Sequence, residues 1–99
     1  MNIIIKKTEY FEKWFTKLRD IQGKARILAR LKRIEIGNIG DYKSIGGGLF
    51  ELRIDYGPGY RIYYVRMKES VIILLAGGDK STQKKDIERS RKILSEIGV

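Results

Sequence analysis

The side chains best suited to chemistry in this sequence are two arginines and a lysine near the ends of predicted strands. Arg53 and Arg61 lie on the two strands of a predicted hairpin, and Lys80 precedes a predicted helix. Guanidinium groups bind phosphate through paired hydrogen bonds, and the free N–H groups of a helix N-terminus attract anions. Together these groups could stabilise the negative charge that develops on a phosphoryl group during its transfer.

Two missing residue types narrow the possible chemistry. The chain contains no Cys and no His. This excludes thiolate nucleophiles, His-based triads and metal sites with Cys or His ligands. Proton transfer and charge stabilisation must therefore come from Arg, Lys, Tyr or a carboxylate. The absence of Cys is compatible with a reducing cytoplasm, where we expect the protein to act.

The hairpin around the predicted turn at residues 56–59 determines which side chains share a sheet face. Pairing Leu52 with Tyr64 and Ile54 with Ile62 gives a coherent apolar face. We expect the opposite face to be open to solvent and to carry Glu51, Arg53, Asp55, Arg61 and Tyr63. This polar set is either a group of exposed ion pairs, which contribute little stability, or a preorganised phosphate site.

A second basic zone lies on the predicted second helix. Arg26, Arg30 and Arg33 are spaced i, i+4, i+7, so they fall within an arc of roughly 60°. We expect them to face solvent, with apolar residues on the opposite side: Ile21, Leu28, Leu31 and Ile34. Such a face either keeps the protein soluble or binds phosphates or an acidic partner.

Residues 77–80 (GGDK) superficially resemble a nucleotide phosphate loop. Asp79 separates the glycines from Lys80, whereas a Walker motif requires adjacent Gly and Lys, so we exclude nucleotide hydrolysis. Lys84 and Lys85 follow in the first helical turn, where the helix dipole disfavours cations. Either an anion binds there or the lysines are simply solvated.

The element pattern predicts one α+β domain over residues 1–99. Strands are predicted at 3–5, 49–55, 60–67 and 71–76, the last of these central in the sheet. Helices are predicted after the N-caps Thr8 and Asp20 and from about Thr82, with a glycine-rich loop over 37–48. The last helix has an inner stripe of Ile87, Ile93, Leu94 and Ile97. The order β-α-α-β-β-β-α favours a small antiparallel sheet with helices on one side.

Composition bounds the partners. The chain has 99 residues and a formal net charge of +9, which favours a polyanion partner, most often nucleic acid. No stretch approaches the roughly 18 apolar residues of a membrane span. The N-terminus lacks the features of a signal peptide, so we expect no membrane partner.

Three segments together resemble the RelE/ParE toxin superfamily, and within it the HigB-like, phage-derived addiction module killer branch of type II toxin–antitoxin systems. The likeness extends over nearly the whole chain and includes the element order. The segments are Gly48-Leu49-Phe50-Glu51-Leu52-Arg53, Gly59-Tyr60-Arg61-Ile62-Tyr63-Tyr64, and residues 74–83 with Asp86-Ile87.

The resemblance implies a RelE-like fold and a ribosome-dependent endoribonuclease that cuts mRNA. It implies a cognate helix-turn-helix antitoxin, through which the complex reaches operator DNA. In the RNA-cleaving members the arginine matched by Arg61 contacts the scissile phosphate, and Arg53 and Lys80 match further basic positions. Because the carboxylates form no metal-binding cluster in the sequence, we expect no metal and no cofactor. Candidate RNA contacts are Lys43, Lys84, Lys85, Arg26, Arg30 and Arg33.

The sequence departs from the RNA-cleaving members in the last helix. These often carry a Tyr or His there, whereas this chain has Lys84-Lys85-Asp86-Ile87. The candidate bases are Glu51, Asp55, Tyr63 or a lysine with lowered pKa. Two alternatives therefore stay open, a ParE-like toxin that inhibits DNA gyrase without nuclease chemistry and a plain nucleic-acid-binding module.

Overall fold

The computed structural model describes residues 2–98. These residues form a five-stranded sheet and three α-helices. The elements in chain order are β1 (Ile4–Lys7), α1 (Glu9–Lys17), α2 (Ile21–Glu35), β2 (Tyr42–Ser44), β3 (Leu49–Ile54), β4 (Tyr60–Lys68), β5 (Val71–Asp79), a 3-10 helix (Lys80–Thr82) and α3 (Gln83–Ile97). No helix in this part of the chain is both long and apolar enough to cross a membrane.

The sheet has the strand order β1-β5-β4-β3-β2. β1 runs parallel to β5, and the other neighbours are antiparallel, so the sheet is mixed and not wholly antiparallel as predicted. The predicted α+β class is confirmed, and β5 is an interior strand, although the central position predicted for it belongs to β4. Strand β2 was expected to be loop. Its three residues are all exposed, so no hydrophobic alternation marks them in the sequence.

Helices cover both faces of the sheet, so the expected one-sided arrangement is wrong. Phe11 of α1 and Ile27 and Ile34 of α2 pack against one face. Ile87 and Leu94 of α3 pack against the opposite face, where Leu49, Tyr63, Val65, Leu75 and Ala76 form a second core. The apolar stripe of α3 was correctly predicted except for Ile97, which is exposed. Periodicity identifies a buried helix face but does not say which side of a sheet it covers.

The register of the hairpin differs from the predicted one by two residues. Leu52 pairs with Ile62, and Ile54 pairs with Tyr60. The loop between the paired strands is centred on Gly57, one residue earlier than expected, and the Gly59 N–H closes it by donating to the Tyr56 carbonyl at 3.0 Å. Since the shift is even, the predicted division of side chains between the two faces holds.

Local signals position the first two helices. Thr8 and Asp20 cap α1 and α2 through side-chain oxygens, as predicted. The expected inner face of α2 is partly wrong, because Ile21 is 81% exposed and Leu28 is also exposed. In the first turn of α2 the sheet contact comes from Gly23, where a Cβ would lie 2.6 Å from the Tyr60 ring. The helix therefore packs closely on the sheet near the hairpin turn.

Two glycines let helices approach β5, which extends three residues beyond its predicted end at Ala76. A Cβ on Gly77 would overlap the Trp14 ring of α1, and one on Gly78 would overlap the Asp86 carboxylate of α3. The pair that resembles a phosphate loop in the sequence is thus a strand segment packed on both faces.

Candidate functional site

The structure brings Arg53, Arg61 and Lys80 together in one cleft of about 380 Å³ beside the hairpin turn. Sequence reasoning placed these three residues on separate elements and expected them to act together. The remaining lining residues are Asp41, Ile54, Asp55, Gly57, Pro58, Gly59 and Tyr60.

The sheet register places the basic side chains of the cleft. Arg53 and Arg61 are direct cross-strand partners on β3 and β4. Lys80 starts the 3-10 helix after β5, and its N–H donates to the Pro58 carbonyl at 3.4 Å. The turn and the end of β5 therefore abut, which brings the lysine to the arginines.

Glu51 lies behind the two arginines and is fully buried. Its Oε1 accepts hydrogen bonds from Arg53 Nε at 3.1 Å and from Arg61 Nη1 at 3.2 Å. Its Oε2 accepts from Nε2 of Gln83, the first residue of α3, at 2.6 Å. Helix α3 therefore covers this face at Glu51 and Tyr63, so the expectation of a fully open face is wrong, while Arg53 and Asp55 stay accessible at the cleft.

Burial separates side chains that can reach a substrate from those that cannot. The Arg53 side chain is 37% exposed and the Arg61 side chain 14% exposed. Glu51 and Tyr63, two of the three side chains named as possible bases, are fully buried. Asp55, the third, is exposed in the cleft. Only Asp55 of these three can contact a bound molecule.

The buried tyrosines of this region stay protonated at neutral pH. Burial, reinforced by the negative charges of Glu51 and Asp86, raises the pKa of Tyr63 well above its usual value. Burial raises the pKa of Tyr60 to about 12, and its hydroxyl donates to Asp20 Oδ2 at 2.7 Å. Neither phenol is therefore suited to accept a proton.

The three arginines on α2 differ in what they contact. Arg30 donates to the carbonyls of Ile39, Asp41 and Arg53 at 2.7–2.8 Å. The expectation that it faces solvent is wrong, because it holds the segment that leads into β2 and the end of β3 against α2. Arg33 is exposed, and Arg26 stacks on the Tyr56 ring at 4.4 Å.

A groove of about 230 Å³ runs along the basic side of α2, and Arg26, Arg30 and Arg33 line it. It shares Ile54 and Asp55 with the cleft. The basic side of α2 is therefore continuous with the cleft.

The other candidate RNA contacts are exposed lysines outside the cleft lining. Lys43 lies on β2, and Lys84 and Lys85 lie in the first turn of α3.

Comparison with known proteins identifies the family of this chain. Residues 13–96 match the family described as phage-derived protein Gp49-like (DUF891). The chain belongs to this family. An uncharacterized protein from Haemophilus influenzae is 50% identical over 99 residues, which cover 100% of both chains.

Solved structures of RelE toxins share the fold of this Gp49-like chain. A mutant Escherichia coli RelE in the free state matches with a TM-score of 0.68 at 17% identity, over 90% of this chain and 98% of that chain. The archaeal RelE–RelB complex from Pyrococcus horikoshii gives 0.59 at 22% identity, over 81% and 97%. The toxin–antitoxin complex RelBE2 from Mycobacterium tuberculosis gives 0.54 at 19% identity, over 81% and 100%. The RelE-like fold implied by the sequence resemblance is confirmed.

Two residues at or next to the cleft of this Gp49-like chain were not predicted as site residues. Asp41 lines the cleft, and Gln83 holds Glu51. Asp41 lies in the segment predicted as loop, where no periodicity marks its position. Gln83 belongs to the segment that carries the family resemblance, which was the one available signal. The assembled cleft offers cationic groups for a phosphate and exposed carboxylates for a proton.

Proposed function

We propose that this Gp49-like protein is the toxin of a type II toxin–antitoxin system, of the HigB-like kind, and cleaves mRNA on the ribosome. The observation that carries the proposal is the shared cleft of Arg53, Arg61 and Lys80 on a RelE-like fold. Two structures with this fold are complexes of a RelE-type toxin with its antitoxin.

The reaction that suits these groups is attack of a ribose 2′-hydroxyl on the adjacent phosphorus. The P–O5′ bond breaks, leaving a 2′,3′-cyclic phosphate, and the departing O5′ takes a proton from solvent water to give a free 5′-hydroxyl. Arg61 stabilises the charge that builds on the phosphoryl oxygens, and Arg53 and Lys80 orient the phosphate. Asp55 is the candidate base, because it is the exposed carboxylate of those first considered.

The residues at hand favour a mechanism without a metal ion. Within residues 2–98 no group of three carboxylates is placed to hold a metal. Guanidinium and ammonium groups already supply positive charge in the cleft. The ribosome would contribute by holding the mRNA in a reactive geometry, which is worth several kcal/mol in well-oriented reactions.

The remaining basic residues suit RNA docking. Arg26 and Arg33 border a groove that adjoins the cleft, so they could take up phosphates next to the scissile one. Lys43, Lys84 and Lys85 are exposed and could contact ribosomal RNA. The partner that silences the protein would be a helix-turn-helix antitoxin, the complex of the two would bind operator DNA, and the protein would act in the cytoplasm.

Primer extension tests this function. The protein is induced in cells that carry two reporter mRNAs, one translated and one with a disrupted start codon. We expect discrete cuts within codons of the translated reporter alone. Cuts in both reporters would contradict ribosome dependence. Intact mRNA together with broken DNA would contradict the proposal and indicate gyrase inhibition. Intact mRNA without growth arrest, in a protein that binds nucleic acid, would indicate a plain nucleic-acid-binding module.

A further inference from the structure

The buried carboxylate of Glu51 is the least expected group near the cleft. A charged side chain is rarely buried unless it is paired and hydrogen-bonded, because removal from water costs several kcal/mol. Glu51 meets this condition with three donors from three elements: Arg53 of β3, Arg61 of β4 and Gln83 of α3. Both of its oxygens are engaged, so it has little freedom to rotate.

The two arginines need such a partner. Arg53 and Arg61 lie directly opposite each other on neighbouring strands, where like charges repel. One oxygen, Glu51 Oε1, accepts from both guanidiniums at 3.1 Å and 3.2 Å. The shared oxygen offsets the repulsion and leaves the other N–H groups of each guanidinium for a ligand. Within residues 2–98, Arg61 Nε is itself buried without a hydrogen-bond partner, so a ligand would reach this guanidinium through its Nη groups.

We propose that Glu51 is the positioning residue of the cleft. It holds the guanidinium groups of Arg53 and Arg61 side by side on one carboxylate oxygen, so that both can bind the same phosphate. Gln83 fixes the orientation of the Glu51 carboxylate and thereby ties the start of α3 to the cleft. Glu51 itself takes no proton and touches no substrate, because it is buried behind the arginines. This inference deepens the proposed nuclease function and rests on it for its catalytic consequence.

The direct test replaces Glu51 by its isosteric amide. Glu51→Gln keeps the volume and leaves two buried or half-buried guanidiniums without a countercharge, so Arg53 turns to solvent. On programmed ribosomes, we expect the single-turnover rate of mRNA cleavage to fall about 100-fold. Ribosome affinity should stay within about threefold, because the outer basic groups are untouched. Glu96→Gln, the same change at an exposed position of α3, should leave both quantities unchanged.

A second readout does not depend on catalysis. In ¹⁵N-labelled protein, we expect the signals of the two groups that donate to Glu51, Arg53 Nε–H and Arg61 Nη1–H, to be resolved in the wild type. In Glu51→Gln they should exchange rapidly with water, while the backbone amide spectrum stays folded. Glu51→Asp keeps the charge with a shorter reach and should restore part of both the signals and the rate.

The outcomes separate the two proposals. A folded Glu51→Gln variant with wild-type cleavage and unchanged arginine signals overturns the positioning role. The role is also overturned if the cleavage rate of Glu51→Gln falls only in proportion to the fraction of unfolded protein and the folded fraction keeps the wild-type arginine signals. If the wild-type protein cleaves no mRNA, the nuclease function fails, and the arginine signals alone then decide whether Glu51 holds the two side chains.

Discussion

The two faces of the sheet are built from alternate residues of the same strands, yet they do different work. The face under α1 and α2 is an almost continuous apolar core. The face under α3 is apolar toward one end and carries the Glu51, Arg53 and Arg61 cluster toward the hairpin turn. The face under α1 and α2 serves packing alone, whereas the face under α3 combines a core with the candidate cleft. Substitutions on the first should change stability, and substitutions at the cleft should change activity.

The largest expected effect is at Arg61. Arg61→Ala removes the cation that contacts the phosphate in our proposal, and we expect mRNA cleavage to fall at least about 100-fold, with loss of growth inhibition. The matched control is Arg66→Ala, at an exposed position of the same strand, which should stay toxic. Growth curves and primer extension measure both. A well-expressed, fully toxic Arg61→Ala variant would remove the basis of the proposed function.

Two neighbouring glycines test the division between the faces. Gly77→Ala pushes against Trp14 on the α1 side, and Gly78→Ala pushes against Asp86 on the α3 side. Both should lower the free energy of unfolding by about 1–3 kcal/mol, because neither site has room for a methyl group.

Only Gly78→Ala should also reduce cleavage at temperatures where both variants are folded. It displaces the start of α3, and with it the Gln83 side chain that orients Glu51. Urea denaturation and cleavage assays on the same samples check this. Equal activity losses in the two variants would mean that the faces are not separable in this way.

Much of the fold could be predicted because it depends on local signals. The caps Thr8 and Asp20, the alternation in β3 and the apolar stripe of α3 are readable from residue types alone. The face covered by α3 and the exact register are not, because alternation is unchanged by a two-residue shift. Strand β2 was missed since it buries nothing and depends on Arg30 from a distant helix.

The candidate site was also predictable only in part, because residue types can be read from the sequence and burial cannot. Arg53, Arg61 and Lys80 were selected from residue type and family resemblance, and the structure places them in one cleft. The role of Glu51 could not be predicted, because its burial depends on α3, whose first residue Gln83 lies 32 residues further along the chain. Sequence patterns assign a side chain to a face but do not report what covers it.

Arg30 and Arg33 sharpen the comparison on α2, where the same residue type serves both purposes. Arg30→Ala removes three hydrogen bonds to carbonyls and should cost about 2 kcal/mol of stability. Arg33→Ala should change stability by less than about 0.5 kcal/mol. It should instead weaken RNA binding and make the dependence of the RNA-binding constant on salt concentration less steep, by the amount expected for about one lost phosphate contact. Thermal unfolding and RNA binding at several salt concentrations distinguish the two. An equal stability loss in both would show that Arg33 is also structural.

The smallest expected effect concerns a polar contact between α2 and the hairpin, on the face away from the Glu51 cluster. The Tyr60 hydroxyl and the Gly23 N–H donate to Asp20, and these bonds lower the pKa of its carboxyl below 3.8. Asp20 therefore contributes stability above that pH, and the contribution is lost as the pH falls through its lowered pKa. Tyr60→Phe removes one of the bonds, so the variant should be less stable than the wild type at pH 6 and closer to it at pH 3.

Tyr56→Phe provides the matched control, because the Tyr56 hydroxyl donates to the neutral Gln22 side chain at 3.2 Å. Its effect should be the same at both pH values. Urea midpoints at pH 6 and pH 3 measure the two differences. If the Tyr60→Phe difference were as large at pH 3 as at pH 6, the bond to Asp20 would not be the source of its stabilising effect. The contact would then belong to packing, like the rest of that face.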